Sequence, residues 1–202
     1  MNAPTPPPPP DPSRSSYYVT DAFYRELIAN FAGWQDDARI VADPAVRDEF
    51  RALIEREARL LDQLRYDDWL AMYAAECVYW VPSTPKAGDP RREIAVMFDD
   101  RRRLEDRVYR LNTGFAWSQA PASRTVHLIT NVEVFSTARD DTRMLRSNFL
   151  ISEFWGDETR VLTGWAGHRV VRDGAQAGWK IQAKQVNLID CDQSIRNPSI
   201  IL

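Results

Sequence analysis

The sequence predicts an α+β fold in which helices cover one face of a curved antiparallel sheet. Three observations carry that expectation. Apolar residues recur at helical spacing as far as about residue 111, and from Arg124 onward they alternate with a period of two. The pairs Asp140-Asp141, Gly156-Asp157 and Asp173-Gly174 sit at the breaks between the later runs, as hairpin turns would.

At 202 residues the chain suits one domain. A core of that size buries roughly 70% of the surface its unfolded chain would expose, so neither disulfide nor metal is needed to hold it. Residues 1–16 stand apart as a leader. Seven of the first twelve residues are proline, which favours an extended polyproline conformation without a packed core. The leader reads as a disordered segment or as a docking motif for a proline-binding domain; the folded domain is expected over 17–202.

The helices come first. Thr20 is placed to cap a segment carrying Phe23, Leu27, Ile28, Phe31 and Trp34. Asp43-Pro44 gives a capping acid followed by proline at the first helical position, opening a helix whose stripe is Val46, Phe50, Leu53, Ile54, Leu60, Leu61 and Leu64. Asp67 is expected to cap a shorter helix with Trp69, Leu70, Met72 and Tyr73. Val78–Pro82 reads as a short strand closed by proline, and after a polar loop (83–90) a second strand covers Glu93–Phe98.

Residues 99–111 then form a charged helix with a narrow stripe of Leu104, Val108 and Leu111. Arg101/Glu105, Arg102/Asp106 and Asp106/Arg110 have the spacing to pair across one turn. Beyond Arg124, Val126, Leu128, Val132 and Val134 are expected on one strand face, with His127, Ile129, Asn131 and Glu133 on the other. Strands over 144–155, 160–172 and 179–190 follow. Trp69, Trp80, Trp155, Trp165 and Trp179 lie in apolar-periodic segments and are expected in the core.

Composition and motifs exclude more than they identify. A formal net charge of -3 is too small to steer the chain onto nucleic acid or an anionic membrane. No apolar run reaches the 18 or so residues of a membrane span, and the N-terminus lacks the pattern of a secretory signal. Cys77 and Cys191 lie far apart with no pairing pattern, as in a reduced, cytoplasmic protein. There is no Gly-x-Gly-x-x-Gly, Walker or Gly-x-Ser-x-Gly motif. The chain holds two histidines, His127 and His168, and no Cys-x-His pair, too little for a Rieske cluster or an evident iron triad. No catalytic, cofactor-binding or metal-ligating residue is therefore assigned.

The stretch 99–119 carries a resemblance. Asp99-Asp100-Arg101-Arg102-Arg103-Leu104-Glu105-Asp106-Arg107-Val108, then Arg110-Leu111, Thr113-Gly114, Ala116-Trp117-Ser118-Gln119 and Pro121, resembles the signature of the β subunits of bacterial Rieske non-heme iron aromatic-ring-hydroxylating dioxygenases. In the same order, Glu57–Asp62, Tyr66–Leu70, Tyr79–Pro82, Asp89–Glu93, Ser123–Thr125 through Val132 and Trp179–Ile181 resemble its other pieces, over roughly 20–202.

That resemblance implies a cone like nuclear transport factor 2 (cystatin-like), a curved antiparallel sheet wrapped by helices. It implies a structural subunit within an α3β3 hexamer. The α subunit would carry the Rieske [2Fe-2S] cluster and the mononuclear iron. Electrons would come from NAD(P)H through a reductase, often with a ferredoxin, and both atoms of O2 would enter an arene. For the subunit interface the expected residues are Arg101, Arg102, Asp106, Arg107, Arg110, Trp117, Ser118, Gln119 and Arg124. Charge reversal at Arg102 or Arg107 is expected to weaken assembly without changing the monomer's fold. The competing expectation is a stand-alone, cofactor-free isomerase or dehydratase of the same cone, for which His127, Glu133, Asp190 and Tyr79 are the candidates.

Overall fold

The structure, a computed structural model, describes residues 19–85, 87–114, 116–172, 178–195 and 197–202. The proline-rich leader and the Asp173-Gly174 pair lie outside these residues. Thr20 opens α1 (Asp21–Phe31) by accepting from the Phe23 N–H at 3.2 Å. The helix ends before Trp34, because Gly33 turns the chain at φ 61° and folds the indole back against Phe31, Phe135 and Trp165. Asp43 caps α2 (Pro44–Asp62), accepting from the Ala45 N–H at 2.9 Å.

The predicted stripe of α2 is buried, partly so at Val46 and Leu53, except at its end. Leu64 lies beyond the helix at φ 55° and is 42% exposed, because the chain reverses there into α3 (Tyr66–Leu70). Arg65, not Asp67, occupies the capping position of α3, with no side-chain cap bond. Met72 and Tyr73 leave that helix too. The strand begins at Tyr73, so β1 (Tyr73–Pro82) is longer than the apolar run that announces it.

β2 (Ala95–Asp100) leads directly into α4 (Arg101–Asn112), whose cap is Asp100, accepting from the Arg103 N–H at 2.9 Å. A 3-10 turn over Trp117–Gln119 precedes β3 (Arg124–Ser136), β4 (Thr142–Trp155), β5 (Glu158–Arg172) and β6 (Trp179–Leu188). The β4–β5 hairpin turns on Gly156 and Asp157, both at positive φ (57° and 64°), as a two-residue primed turn requires.

The six strands form one sheet in the order β2-β1-β6-β5-β4-β3. Every ladder between the described strands is antiparallel except β1/β6, which is parallel and joins the strand that follows α3 in sequence to the last one in the middle of the sheet. The main core lies between the sheet's inner face and α2, α3 and α4, with Phe50, Ile54, Trp69, Tyr79, Leu104, Leu145, Ile151 and Ile181 inside it. The helices do not all share that face. Val78 and Trp80 alternate with Tyr79 and Val81 along β1, and their side packs with Ala183 against Phe23 and Leu27 of α1. Helices therefore wrap both faces of the sheet's β1–β6 half. Trp69 and Trp80 are buried as expected, whereas Trp155, Trp165 and Trp179 are only half-buried.

The expected face of β3 is divided. Val126 and Leu128 point outward, 57% and 58% exposed, while His127 and Ile129 point in. Between Thr130 and Glu133 the ladder slips on a bulge at Asn131 (φ 51°), after which Val134 faces the core. One extra residue inverts the alternation, which no count of period-two positions anticipates.

Candidate functional site

The residues singled out by the sequence fall into two groups. Arg101 and Arg107 turn into their own subunit. Arg101 donates through Nη1 to the Leu70 and Tyr73 carbonyls (3.0 and 3.2 Å) and through Nε to Glu105 (2.8 Å), fastening α4 to the start of β1. Arg107 donates through Nε and Nη2 to one oxygen of the nearly buried Asp99 (2.9 and 2.7 Å). Reversing the charge of Arg107 would press an acid against Asp99, so that substitution is expected to perturb the monomer as well as any assembly.

The second group faces outward. Asp106 and Arg110 are exposed, with Arg110 donating to the Asp106 carbonyl at 3.3 Å, and Arg102 is half-buried beside the groove under β2. Trp117 is 91% exposed and Ser118 is exposed beside it. Gln119 anchors their turn: its Oε1 accepts from the Ser123 N–H (3.0 Å) and its Nε2 donates to Ser199 Oγ (3.2 Å). Beneath, fully buried Glu153 accepts from Ser123 Oγ (2.6 Å) and Asn197 Nδ2 (3.3 Å) and pairs with Arg160. The tryptophan is therefore displayed from a braced corner. Arg124 is exposed and lies over the Phe154 ring at 4.5 Å.

Next to that corner the outer face of β3–β5 is apolar. Val126, Leu128, Leu150, Phe154 and Val161 are each between 36% and 58% exposed. The ladders place Leu128 opposite Leu150, with Val126 and Val161 both opposite Ser152, so the patch is continuous across three strands. Burying such side chains is worth roughly 25 cal/mol per Å² removed from water.

Inside the cone lies a polar cluster that the sequence did not announce. Glu57, 1% exposed on α2, accepts at Oε1 from the Tyr73 hydroxyl (2.7 Å), the Trp69 indole (3.3 Å) and Lys184 Nζ (3.1 Å). His168 Nε2 lies 3.1 Å from its Oε2. Burial alone would raise the Glu57 carboxyl, but Lys184 and the bonds from His168 and Tyr73 outweigh it and hold it well below the usual carboxylate range. Burial lowers the His168 imidazole despite the pull of Glu57.

Nearby, Asp62 Oδ1 lies 2.6 Å from His127 Nδ1 and accepts from Thr125 Oγ1 at 2.8 Å, while its Oδ2 accepts from the His127 N–H at 3.0 Å. Burial opposes ionisation of Asp62, but these bonds prevail and lower its carboxyl. The helical spacing of Glu57 with Phe50, Ile54 and Leu61 was the available signal; the partners on β5 and β6 were not.

The four residues expected to serve an isomerase or dehydratase are not brought together. Asp190 is exposed, Glu133 sits beside Arg146 at 3.9 Å, and the Tyr79 hydroxyl donates to the Leu202 carbonyl (2.6 Å) and accepts from the Leu202 N–H (2.9 Å). His127 alone of them lines the interior cavity. Among the described residues no three His, Cys, Asp or Glu side chains are grouped to hold a metal, and no helix is long and apolar enough to cross a membrane.

Fold and surface together define a cone-shaped α+β subunit whose outward features are an apolar sheet face and a braced tryptophan. The chain belongs to the ring hydroxylating beta subunit family, whose model matches residues 56–193. It is 43% identical over 88 residues to the 2-halobenzoate 1,2-dioxygenase small subunit of Burkholderia cepacia, covering 41% of this chain and 53% of that one. It is 29% identical over 187 residues to the 3-phenylpropionate/cinnamic acid dioxygenase subunit beta of Photorhabdus laumondii, 88% of this chain and 99% of that one. The match thus spans about half of the first relative and nearly all of the second. Among solved structures, the beta subunit of the benzoate 1,2-dioxygenase of Burkholderia mallei superposes with a TM-score of 0.60 at 29% identity, over 80% of this chain and 99% of that one. The architecture is the open cone of the nuclear transport factor 2 type.

Proposed function

We propose that the chain is the non-catalytic β subunit of an aromatic-ring-hydroxylating dioxygenase, a scaffold that binds an iron-bearing α subunit and further copies of itself in an α3β3 assembly. The observation that carries the reading is the continuous apolar face of β3–β5 beside exposed Trp117, on a chain whose relatives are named as small or β subunits. Exposed apolar surface of that extent marks a protein–protein contact, with an aromatic anchor at its edge.

In this reading the Rieske [2Fe-2S] cluster and the mononuclear iron belong to the α subunit. Electrons pass to them from NAD(P)H by way of a reductase or ferredoxin, and both atoms of O2 enter an arene there. The work of this chain is to hold the partner in place. The two buried free cysteines suit a reducing cytoplasm. Asp106, Arg110, Trp117, Ser118 and Arg124 supply the interface, with Arg102 and Gln119 at its margin, whereas Arg101 and Arg107 support it from within.

Light scattering with iron analysis tests the proposal, comparing the chain expressed alone and with the α subunit of its own system. A large, iron-bearing particle only on co-expression is expected. An oligomer that ignores the α subunit would overturn the scaffold role.

A further inference from the structure

The interior cavity has a composition that neither the scaffold role nor the core packing uses. It lies between α2 and the inner face of the sheet, walled by Ile54, Ala58, Ile129, Phe149 and Ile151. Its room for the centres of water molecules is about 20 Å³, where a single water needs roughly 10–15 Å³.

Three buried polar atoms on residues lining this space have no protein partner: His127 Nε2, Ser147 Oγ and His168 Nδ1. Their residues are deeply buried, with the His127 side chain 4% exposed and Ser147 and His168 each 1% exposed. Each imidazole is oriented by a carboxylate at its other nitrogen, Asp62 at His127 Nδ1 and Glu57 at His168 Nε2. In a neutral imidazole a carboxylate holds the ring proton on the nitrogen facing it, which leaves the opposite nitrogen with a lone pair. The cavity thus offers two acceptors and, from Ser147, one hydroxyl.

We propose that this cavity is a binding site for one neutral, hydrogen-bond-donating molecule of the size of water. Water matches the set, with two hydrogens for the imidazole lone pairs and an oxygen to accept from Ser147. An apolar guest would leave all three groups unsatisfied, and an anion would face two lone pairs near ionised Glu57. A metal ion would find two nitrogens and no free carboxylate, since Glu57 and Asp62 are engaged with their own partners.

Crystals of the full-length chain, examined at a resolution that shows ordered water and again under xenon pressure, test the assignment. The expected result is a solvent peak about 2.7–3.2 Å from at least two of the three atoms, with no xenon in the cavity. An empty cavity, a xenon site, or an anomalous metal peak between the histidines would overturn it. Ser147→Val, which fills part of the space with methyl groups, should lose the solvent peak. A peak retained there at full occupancy would overturn the part assigned to Ser147.

Discussion

At the scale of the residue, Glu57 shows how a charge is kept in a core. Its carboxylate is compensated by Lys184 and by donors from three aromatic or imidazole side chains, and taking it away leaves buried Lys184 with the Leu202 carbonyl and the Tyr79 ring but without its Glu57 counter-charge. Glu57→Ala should therefore cost about 3–5 kcal/mol in urea unfolding, far more than a truncation at the surface. Protonation has a defined sign. Glu57 is held below its unfolded value, so its contribution is complete above about pH 4.3 and lost as pH falls further. His168 is held neutral by burial, so stability also falls as pH drops below about 6.5, where the unfolded imidazole takes up a proton. Urea midpoints measured against pH should decline from about pH 6.5 downward, and His168→Asn should flatten the upper part of that decline; an unchanged slope in the variant would contradict the assignment. The sequence placed Glu57 within a helix, yet its role depends on residues 111 and 127 positions away. Local spacing carries no trace of such partners. Cys77 is plainer: burial pushes its thiol up to about 12, so thiol reagents should modify it only after unfolding.

At the scale of the element, the helices were legible because caps and stripes are local. Thr20, Asp43 and the 101–112 helix lie where the sequence puts them, the last displaced only because Asp99 and Asp100 finish a strand. Strand β3 was misread at one position, since a bulge exchanges inside for outside without altering the pattern that surrounds it. Asn131 holds that bulge in the left-handed region, where a β-branched residue is penalised. Asn131→Val should cost about 1–2 kcal/mol in thermal or urea unfolding, and Asn131→Gly should be nearly neutral. Helix α4 divides around its circumference, with Arg101 and Arg107 turned inward and Asp106 and Arg110 exposed. Arg107→Glu, by confronting Asp99, should destabilise the isolated subunit by about 3 kcal/mol, whereas exposed Arg110→Glu should change it by less than about 0.5 kcal/mol. Equal effects of the two substitutions would refute the division. The inward turn of Arg101 and Arg107 was not legible in the sequence, because arginine on a charged helix looks the same whether it points to solvent or to a backbone carbonyl.

At the scale of the whole molecule, the order of elements was enough to announce helices and a curved sheet, but not that α1 covers the second face or that one ladder is parallel. The apolar face of β3–β5 makes the proposed assembly testable by single substitutions. Leu128→Glu and Val161→Glu should leave monomer stability within about 0.5 kcal/mol, since both side chains are more than half exposed, yet weaken association at least about tenfold, or ~1.4 kcal/mol, in light-scattering titrations. Trp117→Ala should behave alike with a smaller loss. The parallel pairing of β1 with β6 has a further consequence for how the protein is made. The strand that leaves the helices waits, with one edge open, for a partner encoded about a hundred residues later. A ribosome must deliver Trp179–Leu188 before the middle of the sheet can close, and until then the nascent subunit offers an unpaired strand edge to its neighbours. A stall before residue 179 should therefore yield an aggregating fragment rather than a smaller folded domain.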